Sequence, residues 1–399
     1  MAKILFLTSS YPSSPADGVC GFIDDLARTL VERHGHEVRV LAPPGTFHGF
    51  EPVDVRAVGH PWPFARRLLA GADLGAAVRG SRAGQSEAVS LTLALAGAAF
   101  MSRSWADVTI SHWLTPSAVA ASLAGLRPHV AVAHGGDVHL LAGLPAGRQL
   151  ARFVVANADR IVCVSRDLGR RLVSLAPQAA SKMDVIPMGA RLGPDPDPSE
   201  VRAFRDAHST AGSTCVLFLG RLQPIKGVDV LVDAAARVPD VDLWIAGDGP
   251  EHARLLDRAR AARLRVSFLG RIDRRERRVA LAACDVVAIP SRIEPNGRME
   301  GTPVVCAESF ASGRPVVATG TGGLVEAVEE GVTGLLVPPD DPEALAGALR
   351  RFSSDPELKK RLSDGASAAG PGFDMATTAA SFDAIIADAI EARRRSARG

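Results

Sequence analysis

The sequence predicts two α/β domains, each built on a doubly wound parallel sheet. Short apolar runs alternate with amphipathic helical patterns along the chain, an order that is typical of parallel sheets covered by helices on both faces. Prolines and aspartates cluster near residues 190–203 and predict a linker there, because proline cannot lie inside a helix or sheet. With 399 residues, 47% of them apolar, the chain is long enough to form two cores.

The predicted strands are runs rich in β-branched and aliphatic residues. In the first domain they are 3–8, 37–43, 107–112, 129–134 and 160–165. In the second domain they are 214–220, 241–247, 265–270, 285–291, 315–319 and 334–339. We expect the first domain at 1–195 and the second at 203–372, with a helix at about 373–399 that packs back on the first. Ligands bind at the carboxyl ends of strands in such sheets, so we expect a cleft between the domains.

The composition argues against several classes of protein. The 46 Lys and Arg residues nearly balance the 44 Asp and Glu residues, which argues against a dedicated nucleic-acid binder. The 5 cysteines are scattered without a CxxC pair, which indicates a reducing cytosol and no zinc site. The first residues are typical of a strand rather than a signal peptide, and the longest apolar run, 88–101, is too short to span a bilayer. We therefore expect a cytoplasmic protein.

Two common nucleotide motifs are missing from the sequence. The nicotinamide fingerprint needs a glycine where His252 stands, and a P-loop needs a glycine where Ile225 stands. The carboxylates at 195–197 and 240–242 imitate a metal motif, but one pair lies in the linker and the other at a turn that enters a strand. We expect neither a metal nor another cofactor.

Two cations follow the first strand of the second domain. The strand ends at Gly220, Arg221 and Lys226 lie in the loop, and a helix begins near Gly227. Cationic side chains and the positive end of a helix together favour the binding of a diphosphate. The alternative is a pair of solvated surface cations.

Two glutamates lie near the start of a later helix. Thr302 is expected to cap this helix and Pro303 to be its first residue, since both are favoured there. Glu308 lies among apolar residues, where an unpaired carboxylate is costly, so we expect it to bind a vicinal diol such as that of ribose. Glu300 is expected to accept hydrogen bonds from a second sugar. The alternative is two ordinary surface glutamates.

The second half of the chain resembles the retaining glycosyltransferases of family 4. The shared motifs occur in the family's order at 220–227, 247–250, 300–308, 315–319, 322–326 and 331–340. The resemblance implies the GT-B fold, in which two Rossmann-like domains face a cleft, and sugar transfer with retention from a nucleotide diphosphate sugar. The sequence around Glu300 is most similar to that of family members that build bacterial exopolysaccharides.

The family's roles carry over to the matching positions. The resemblance implies that Arg221 and Lys226 bind the donor diphosphate, that Glu308 holds the ribose and that 270–272 lie near the nucleobase. The predicted donor-binding residues are Gly21, Gly220, Arg221, Lys226, Gly270, Arg271, Ile272, Glu300, Gly301, Thr302, Pro303, Val304 and Glu308. The predicted catalytic residues are His134, Arg221, Lys226 and Glu300.

The first half resembles the family more loosely. Its glycine loop after the first strand places Gly18 and Gly21 on the acceptor side, and Asp137 belongs to a stretch similar to the family's H-G-x-D. His134 begins that stretch, just past the fourth predicted strand. The resemblance implies that His134 faces the cleft and contacts the reacting sugar. A loop histidine without a role is the alternative.

The resemblance also implies the partners of the reaction. We expect a UDP- or GDP-sugar as donor and a glycan or polyprenyl-linked acceptor, in cell-surface polysaccharide or glycoconjugate biosynthesis. With no metal motif, the cations and helix amides must stabilise the leaving diphosphate. A nucleotide-sugar epimerase and an inactive donor-binding scaffold are the alternatives. The segment 60–84 mixes aromatic and basic residues and predicts peripheral contact with the inner leaflet of the membrane; a solvated helix or acceptor-side loop is the alternative.

Overall fold

The chain folds into two compact units. The computed structural model describes residues 1–14, 20–43, 49–59 and 82–396. The first unit comprises Met1–Pro187 together with Met375–Gly399, and the second comprises Met188–Asp374. The first boundary therefore lies at 187/188 rather than at 195. The end of the predicted linker is helical, because Pro198 occupies the first turn of a helix, where proline needs no hydrogen-bond acceptor for its nitrogen.

A parallel sheet forms the core of the first unit. Within the described residues its order is β3-β2-β1-β4-β5-β6-β7. The strands are β1 Lys3–Thr8, β2 Glu37–Ala42, β3 Asp54–Ala57, β4 Val108–His112, β5 His129–Ala133, β6 Arg160–Cys163 and β7 Met183–Val185. The five predicted strands are confirmed, whereas β3 and β7 were not predicted. Both are short, partly exposed edge strands, and such edges carry polar residues that weaken the strand signal.

Helices cover this sheet. They are α1 Gly21–His34, α2 Arg82–Ser102, α3 Val119–Leu123, α4 Gly136–Gly143, α5 Gly147–Asn157 and α6 Arg166–Leu175. The apolar run 88–101 lies in α2, where Leu91, Leu95 and Ala99 are buried in the core. In the described part of the chain, no helix combines the length and the apolar character needed to cross a bilayer.

The second unit contains its own parallel sheet. Its order within the described residues is β10-β9-β8-β11-β12-β13. The strands are β8 Thr214–Leu219, β9 Val241–Ala246, β10 Val266–Gly270, β11 Val286–Ile289, β12 Val316–Thr319 and β13 Gly334–Val337. All six predicted strands are confirmed. Strand order reverses between β8 and β11, which makes the carboxyl ends of these two strands the topological switch point.

Helices and alternating side chains enclose the second sheet. The helices are α7 Pro198–His208, α8 Val228–Ala235, α9 His252–Ala261, α10 Arg274–Ala283, α11 Val304–Ala311, α12 Leu324–Ala327, α13 Pro342–Ser354 and α14 Pro356–Ala369. Along β8, Val216 and Phe218 belong to one core cluster, whereas Leu217 and Leu219 belong to another. Successive side chains of a strand point to opposite faces, so a sheet covered on both sides requires the continuous apolar runs of the sequence.

The last helix, α15 Met375–Ser396, belongs to the first unit. It packs against α1. Asp383 of α15 contacts the ring nitrogens of His34 at 3.1 Å and His36 at 2.7 Å. The hydroxyl of Thr378 donates to the carbonyl of Pro187 at 3.0 Å. These contacts join the end of the chain to residues that precede the second unit.

Candidate functional site

Three loops meet at the carboxyl ends of β8, β11 and β12 in the second unit. Gly227, in the loop after β8, has φ 62°, and a Cβ atom there would lie 2.0 Å from the carbonyl oxygen of Pro290 in the loop after β11. Gly322, in the loop after β12, has φ 51°, and a Cβ atom there would lie 2.2 Å from the carbonyl oxygen of Glu300. Glycine permits both the left-handed backbone and the close approach. The loops therefore pack backbone against backbone at the switch point.

The loop after β8 carries the two predicted phosphate-binding cations. It leaves the strand at Gly220, forms a short 3₁₀ turn over Pro224–Lys226, and enters α8 at Val228. The side chain of Arg221 is exposed, whereas that of Lys226 is half-buried. Because the loop precedes a helix N-terminus, its amides and cations lie where a phosphate is favoured.

Lys226 and Glu300 form an ion pair in this loop cluster. Lys226 Nζ lies 2.5 Å from Glu300 Oε1, and both side chains are largely buried. The other carboxylate oxygen of Glu300 accepts a hydrogen bond from the hydroxyl of Ser291. Thr319 Oγ1 in turn donates to the carbonyl of Ser291 at 2.5 Å. The carboxylate is thus held in one orientation by Lys226 of the loop after β8 and by Ser291, whose own backbone is bound by the end of β12.

Arg292 holds the turn that carries Lys226. Its backbone N–H donates to the carbonyl of Ile225 at 2.8 Å, and its guanidinium donates to Asp229 Oδ2 at 3.0 Å and to Asp340. Burial alone would raise the pKa of Asp229, but the charges and hydrogen bonds of Arg292 and Arg254 lower it overall. Asp229 therefore stays ionised in the first turn of α8, and its bond to Arg292 ties that helix to the loop after β11. Neither Ser291 nor Arg292 was predicted from the sequence.

Glu308 lies in α11 with a cationic partner. Glu308 is buried, with 8% of its surface exposed. Arg277 of α10 donates from Nη1 to Glu308 Oε1 at 2.6 Å. A buried carboxylate needs such compensation. The sequence predicted a diol-binding carboxylate here and did not predict its partner Arg277, whose surrounding run of charges is typical of a solvated helix face.

The predicted start of α11 is wrong by one residue. Helix α11 begins at Val304, and Pro303 is the N-cap, with φ −59° and ψ 131°. Because Pro303 occupies the N-cap position, Thr302 is not the N-cap residue. The extended ψ of Pro303 delays the helix. The carbonyl of Gly301 accepts a hydrogen bond from the N–H of Gly323 at 2.9 Å, which ties this loop to the loop after β12.

The predicted nucleobase stretch begins at the end of β10. Gly270 ends that strand with φ 66°, Arg271 is exposed and Ile272 half-buried. The carbonyl of Gly270 accepts the N–H of Gly247 at 2.7 Å, and Gly220 donates to the carbonyl of Ala246 at 3.0 Å. Backbone hydrogen bonds thus connect this stretch to the phosphate loop.

The acceptor-side glycines were predicted around the start of α1. Gly21 is the first residue of α1 and is buried, whereas Gly18 lies outside the described residues. Asp137 is buried at the start of α4. Its oxygens accept the N–H groups of Leu114 at 2.7 Å and Gly135 at 2.9 Å. These bonds favour a role for Asp137 in holding the loop rather than in presenting a free carboxylate.

His134 follows β5, the fifth strand and not the fourth, because β3 was not predicted. Its half-buried ring lies among aromatic side chains, with centroid distances of 5.0 Å to Phe22 and 5.1 Å to Trp113. Nε2 of His134 lies 3.1 Å from Nδ1 of His112. Burial lowers the pKa of His134 to about 3, so the ring is neutral near pH 7. Among the residues that the structure describes, no group of three or more His, Cys, Asp or Glu side chains is arranged to hold a metal.

Comparison with known families covers most of the chain. A family model described as Glycosyltransferase Family 4 matches residues 16–192, and one described as Glycosyl transferases group 1 matches residues 213–355. The D-inositol 3-phosphate glycosyltransferase of Xylanimonas cellulosilytica is 34% identical over 327 residues, 75% of this chain and 76% of that protein. The protein of the same description from Mycolicibacterium vanbaalenii is 36% identical over 226 residues, 52% of this chain and 49% of that protein. The match therefore spans about half the length of the second relative.

Solved structures share the fold. Anabaena Alr3699/HepE in complex with UDP-glucose has 23% sequence identity and a TM-score of 0.74, with 97% of this chain and 100% of that chain covered. Sucrose-phosphate synthase from Thermosynechococcus elongatus has 20% identity and a TM-score of 0.76, with 98% and 100% covered. These likenesses confirm the predicted GT-B class, with its two parallel-sheet α/β domains. On sequence and structure together, the chain belongs to the glycosyltransferases of family 4.

Proposed function

We propose that the protein transfers a sugar, with retention of anomeric configuration, from a nucleotide diphosphate sugar and without a metal ion. The observation that carries this proposal is the ion pair of Lys226 and Glu300 at the carboxyl ends of β8 and β11, with Glu308 in the helix that follows the same loop. A cation and two carboxylates, each held by a second residue, supply the groups that a phosphate, a ribose and a hexose need. The carboxyl ends of β8 and β11 are also the topological switch point, where ligands of such sheets bind.

Each group has a defined role in this proposal. Arg221 and Lys226 bind the diphosphate and neutralise the charge that develops as it leaves. Glu308, with one oxygen bound to Arg277, accepts from the ribose hydroxyls with the other. Glu300 exchanges part of its contact with Lys226 for hydroxyls of the transferred sugar.

The proposed step balances without a protein nucleophile. The bond between the anomeric carbon and the phosphate oxygen breaks, and the electron pair leaves with the diphosphate. The acceptor hydroxyl attacks the oxocarbenium-like carbon from the same face. Its proton passes to the departing phosphate oxygen, so that products are the glycoside and the nucleoside diphosphate. Fixed cations stabilise this charge separation because they need no reorganisation as the reaction proceeds.

The proposed donor is a UDP-sugar, with a GDP-sugar as the second choice. The Anabaena protein was solved with UDP, with UDP and glucose, and with UDP-glucose, which supports uridine. No residue of the 270–272 stretch discriminates the bases by itself, since Arg271 can donate to acceptors of either base.

Two classes of acceptor merit testing. The sequence around Glu300 resembles that of members that build exopolysaccharides, which supports a glycan or polyprenyl-linked acceptor for a cell-surface polysaccharide. The relatives described as D-inositol 3-phosphate glycosyltransferases support an inositol phosphate as a second candidate. We further propose a cytoplasmic protein with peripheral contact to the inner leaflet; most of the segment predicted to make that contact, 60–84, lies outside the described residues.

Calorimetry tests the donor site. UDP, GDP and ADP are titrated into the protein with EDTA present, and the tightest ligand is titrated again into Glu308→Ala. We expect one nucleotide to bind and the variant to lose that binding. Glu343→Ala is the matched control, since Glu343 is an exposed carboxylate in the same unit and its removal leaves affinity unchanged. Failure of all three nucleotides to bind a folded sample would contradict the donor site.

A turnover assay separates transfer from the alternatives. Nucleotide sugars of the base found by calorimetry are incubated with a panel of glycan, polyprenyl-linked and inositol phosphate acceptors. Release of nucleotide together with a new glycoside is expected, and the NMR coupling of its anomeric proton reports retention or inversion. An epimerase changes the sugar without an acceptor, and an inactive scaffold binds the nucleotide without product.

A further inference from the structure

Two histidines of the first unit form a pair in which His112 is buried and His134 is half-buried. His112 is the last residue of β4, and His134 follows the neighbouring strand β5. Nδ1 of His112 lies 3.1 Å from Nε2 of His134, and the rings stack with a centroid distance of 5.3 Å and an interplanar angle of 23°. His112 is wholly buried. The parallel pairing of β4 with β5 fixes the backbone on both sides of this contact.

Each ring of the pair carries a single proton. Burial lowers the pKa of His112 well below its usual range, and the charge that His134 carries when it is protonated lowers it further. Burial also lowers the pKa of His134 to about 3. Both rings are therefore neutral near pH 7. A neutral imidazole has one donor and one acceptor nitrogen, so one ring donates across the contact and the other accepts.

The environment of His112 decides which ring donates. Its Nε2 is buried and has no hydrogen-bond partner among the described residues. If His134 donated, His112 would carry its proton on this Nε2, and a buried N–H would lack an acceptor. If His112 donates from Nδ1, only a lone pair is left without a partner. In proteins, a buried N–H group without an acceptor is rarer than a buried acceptor without a donor.

We infer that His112 is a positioning residue whose Nδ1–H donates to Nε2 of His134, so that His134 carries its own proton on Nδ1. His134 then offers an N–H donor, and not a base, to an oxygen of the substrate. The substrate part of this inference rests on the proposed sugar transfer. It agrees with that reaction, in which the leaving phosphate takes the acceptor's proton and no side-chain base is required.

The surroundings of His134 maintain this orientation. Phe22 and Trp113 flank the ring, and the backbone N–H of His134 donates to Asp137 Oδ1 at 3.2 Å. Trp113 has φ 69° and ψ 132°, and a positive φ is uncommon for a bulky residue. Such strain persists where the neighbouring structure determines it and clusters at functional sites. A rotated His134 ring would lose both the stacking and the contact with His112.

Nitrogen NMR tests the assignment directly. In protein labelled with ¹⁵N-histidine, long-range ¹H–¹⁵N spectra distinguish the two neutral tautomers of His134. We expect the Nδ1–H form in the wild-type protein. In His112→Phe, which fills the space but cannot donate, we expect loss of this single tautomer and a fall in kcat of about tenfold or more, with the KM for the donor nearly unchanged. His112→Asn supplies a donor near the Nδ1 position and is expected to restore both.

His129 provides the matched control. It is also a buried histidine of the same sheet, hydrogen-bonded to Ser111 at 2.8 Å, and His129→Phe tests the general cost of losing such a ring. We expect no change in the tautomer of His134 in that variant. An Nε2–H tautomer of His134 in the wild type, or an unchanged tautomer in His112→Phe, would overturn the inference. A wild type with the expected tautomer but no transfer activity would overturn the substrate part and the proposed function, while supporting the hydrogen bond.

Discussion

Lys226 Nζ lies 2.5 Å from Glu300 Oε1, so the predicted phosphate-binding cation and the predicted sugar-binding carboxylate are direct partners. A donor that binds here exchanges an internal ion pair for its own contacts with both groups. The pair therefore keeps the two side chains extended toward each other and lowers the conformational entropy that binding must remove.

Replacement of Lys226 by methionine is expected to weaken nucleotide binding while the fold remains. A charge-assisted hydrogen bond contributes about 1.5–3 kcal/mol, which corresponds to roughly a tenfold to hundredfold loss of affinity. Glu300 keeps its contact with Ser291, so the loop is not released. Calorimetry with UDP measures the change. Lys360→Met, at an exposed lysine of α14, is the control, and equal affinity of the two variants would refute the role of Lys226.

Arg277 and Glu308 are expected to be energetically coupled. Arg277→Met leaves a buried carboxylate without its guanidinium and should cost about 2 kcal/mol of stability, with a clear loss of nucleotide affinity. Glu308→Gln should reduce affinity as well. In the double variant the stability loss should be smaller than the sum of the single losses by about 1 kcal/mol or more. Urea unfolding of the four proteins measures this coupling; strict additivity would show that the contact contributes nothing.

Two glycines with left-handed backbone allow a matched test of the Glu300 loop. A Cβ atom at Gly322 would lie 2.2 Å from the carbonyl oxygen of Glu300, whereas one at Gly331, with φ 75°, would meet no atom within 4 Å. Alanine at either position should cost about 1–2 kcal/mol of stability from the backbone alone. Gly322→Ala should also displace Glu300 and lower kcat, whereas Gly331→Ala should retain kcat. Full activity of Gly322→Ala would contradict the importance of this packing.

The attachment of α15 to α1 is expected to weaken in acid. Burial alone would raise the pKa of Asp383, but the hydrogen bond from His36 and the charges of His34 and His36 lower it overall. Because the folded pKa lies below the unfolded value of about 3.9, the stabilisation is present above that pH and is lost as the pH falls through the folded pKa. The side chain of Asp383 is 39% exposed, so its ionised form adds less than about 1 kcal/mol to the free energy of unfolding.

Urea unfolding from pH 3 to 6 checks this dependence. The stability difference between wild type and Asp383→Asn should be present at pH 5 to 6 and shrink toward pH 3, where Asp383 becomes neutral. Asp388→Asn, at an exposed position of the same helix, should show no comparable difference. A gap between wild type and Asp383→Asn that is constant across this range would mean that ionisation of Asp383 does not hold the helix.

The sequence was sufficient for the parts of the fold that depend on local pattern. Buried parallel strands are continuous apolar runs, which is why β8 and β11 were predicted within two residues. Edge strand β3, Asp54–Ala57, alternates charged and apolar residues and gave no comparable signal. The predicted cap of α11 was wrong: Thr302-Pro303 satisfies the usual preferences for a cap and a first helical residue, but Pro303 has an extended ψ and is itself the N-cap.

The partners of the site residues could not be predicted in the same way. Glu308 among apolar residues indicated a carboxylate that binds a diol, but its partner Arg277 lies 31 positions away within a run of arginines that resembles a solvated surface. Ser291 and Arg292 follow β11, and only the three-dimensional approach of their loop to the turn at Lys226 shows what they hold. Local propensity contains no information about such contacts between distant segments.

The membership of α15 in the first unit bears on how the protein is made. The second unit is one uninterrupted segment, Met188–Asp374, whereas the first consists of Met1–Pro187 and the helix that follows. During synthesis, the whole of the second unit is therefore made before the helix that packs against α1. We expect a chain truncated before Met375 to leave α1 without its packing partner, and so to be bound by chaperones more strongly than a chain that includes α15.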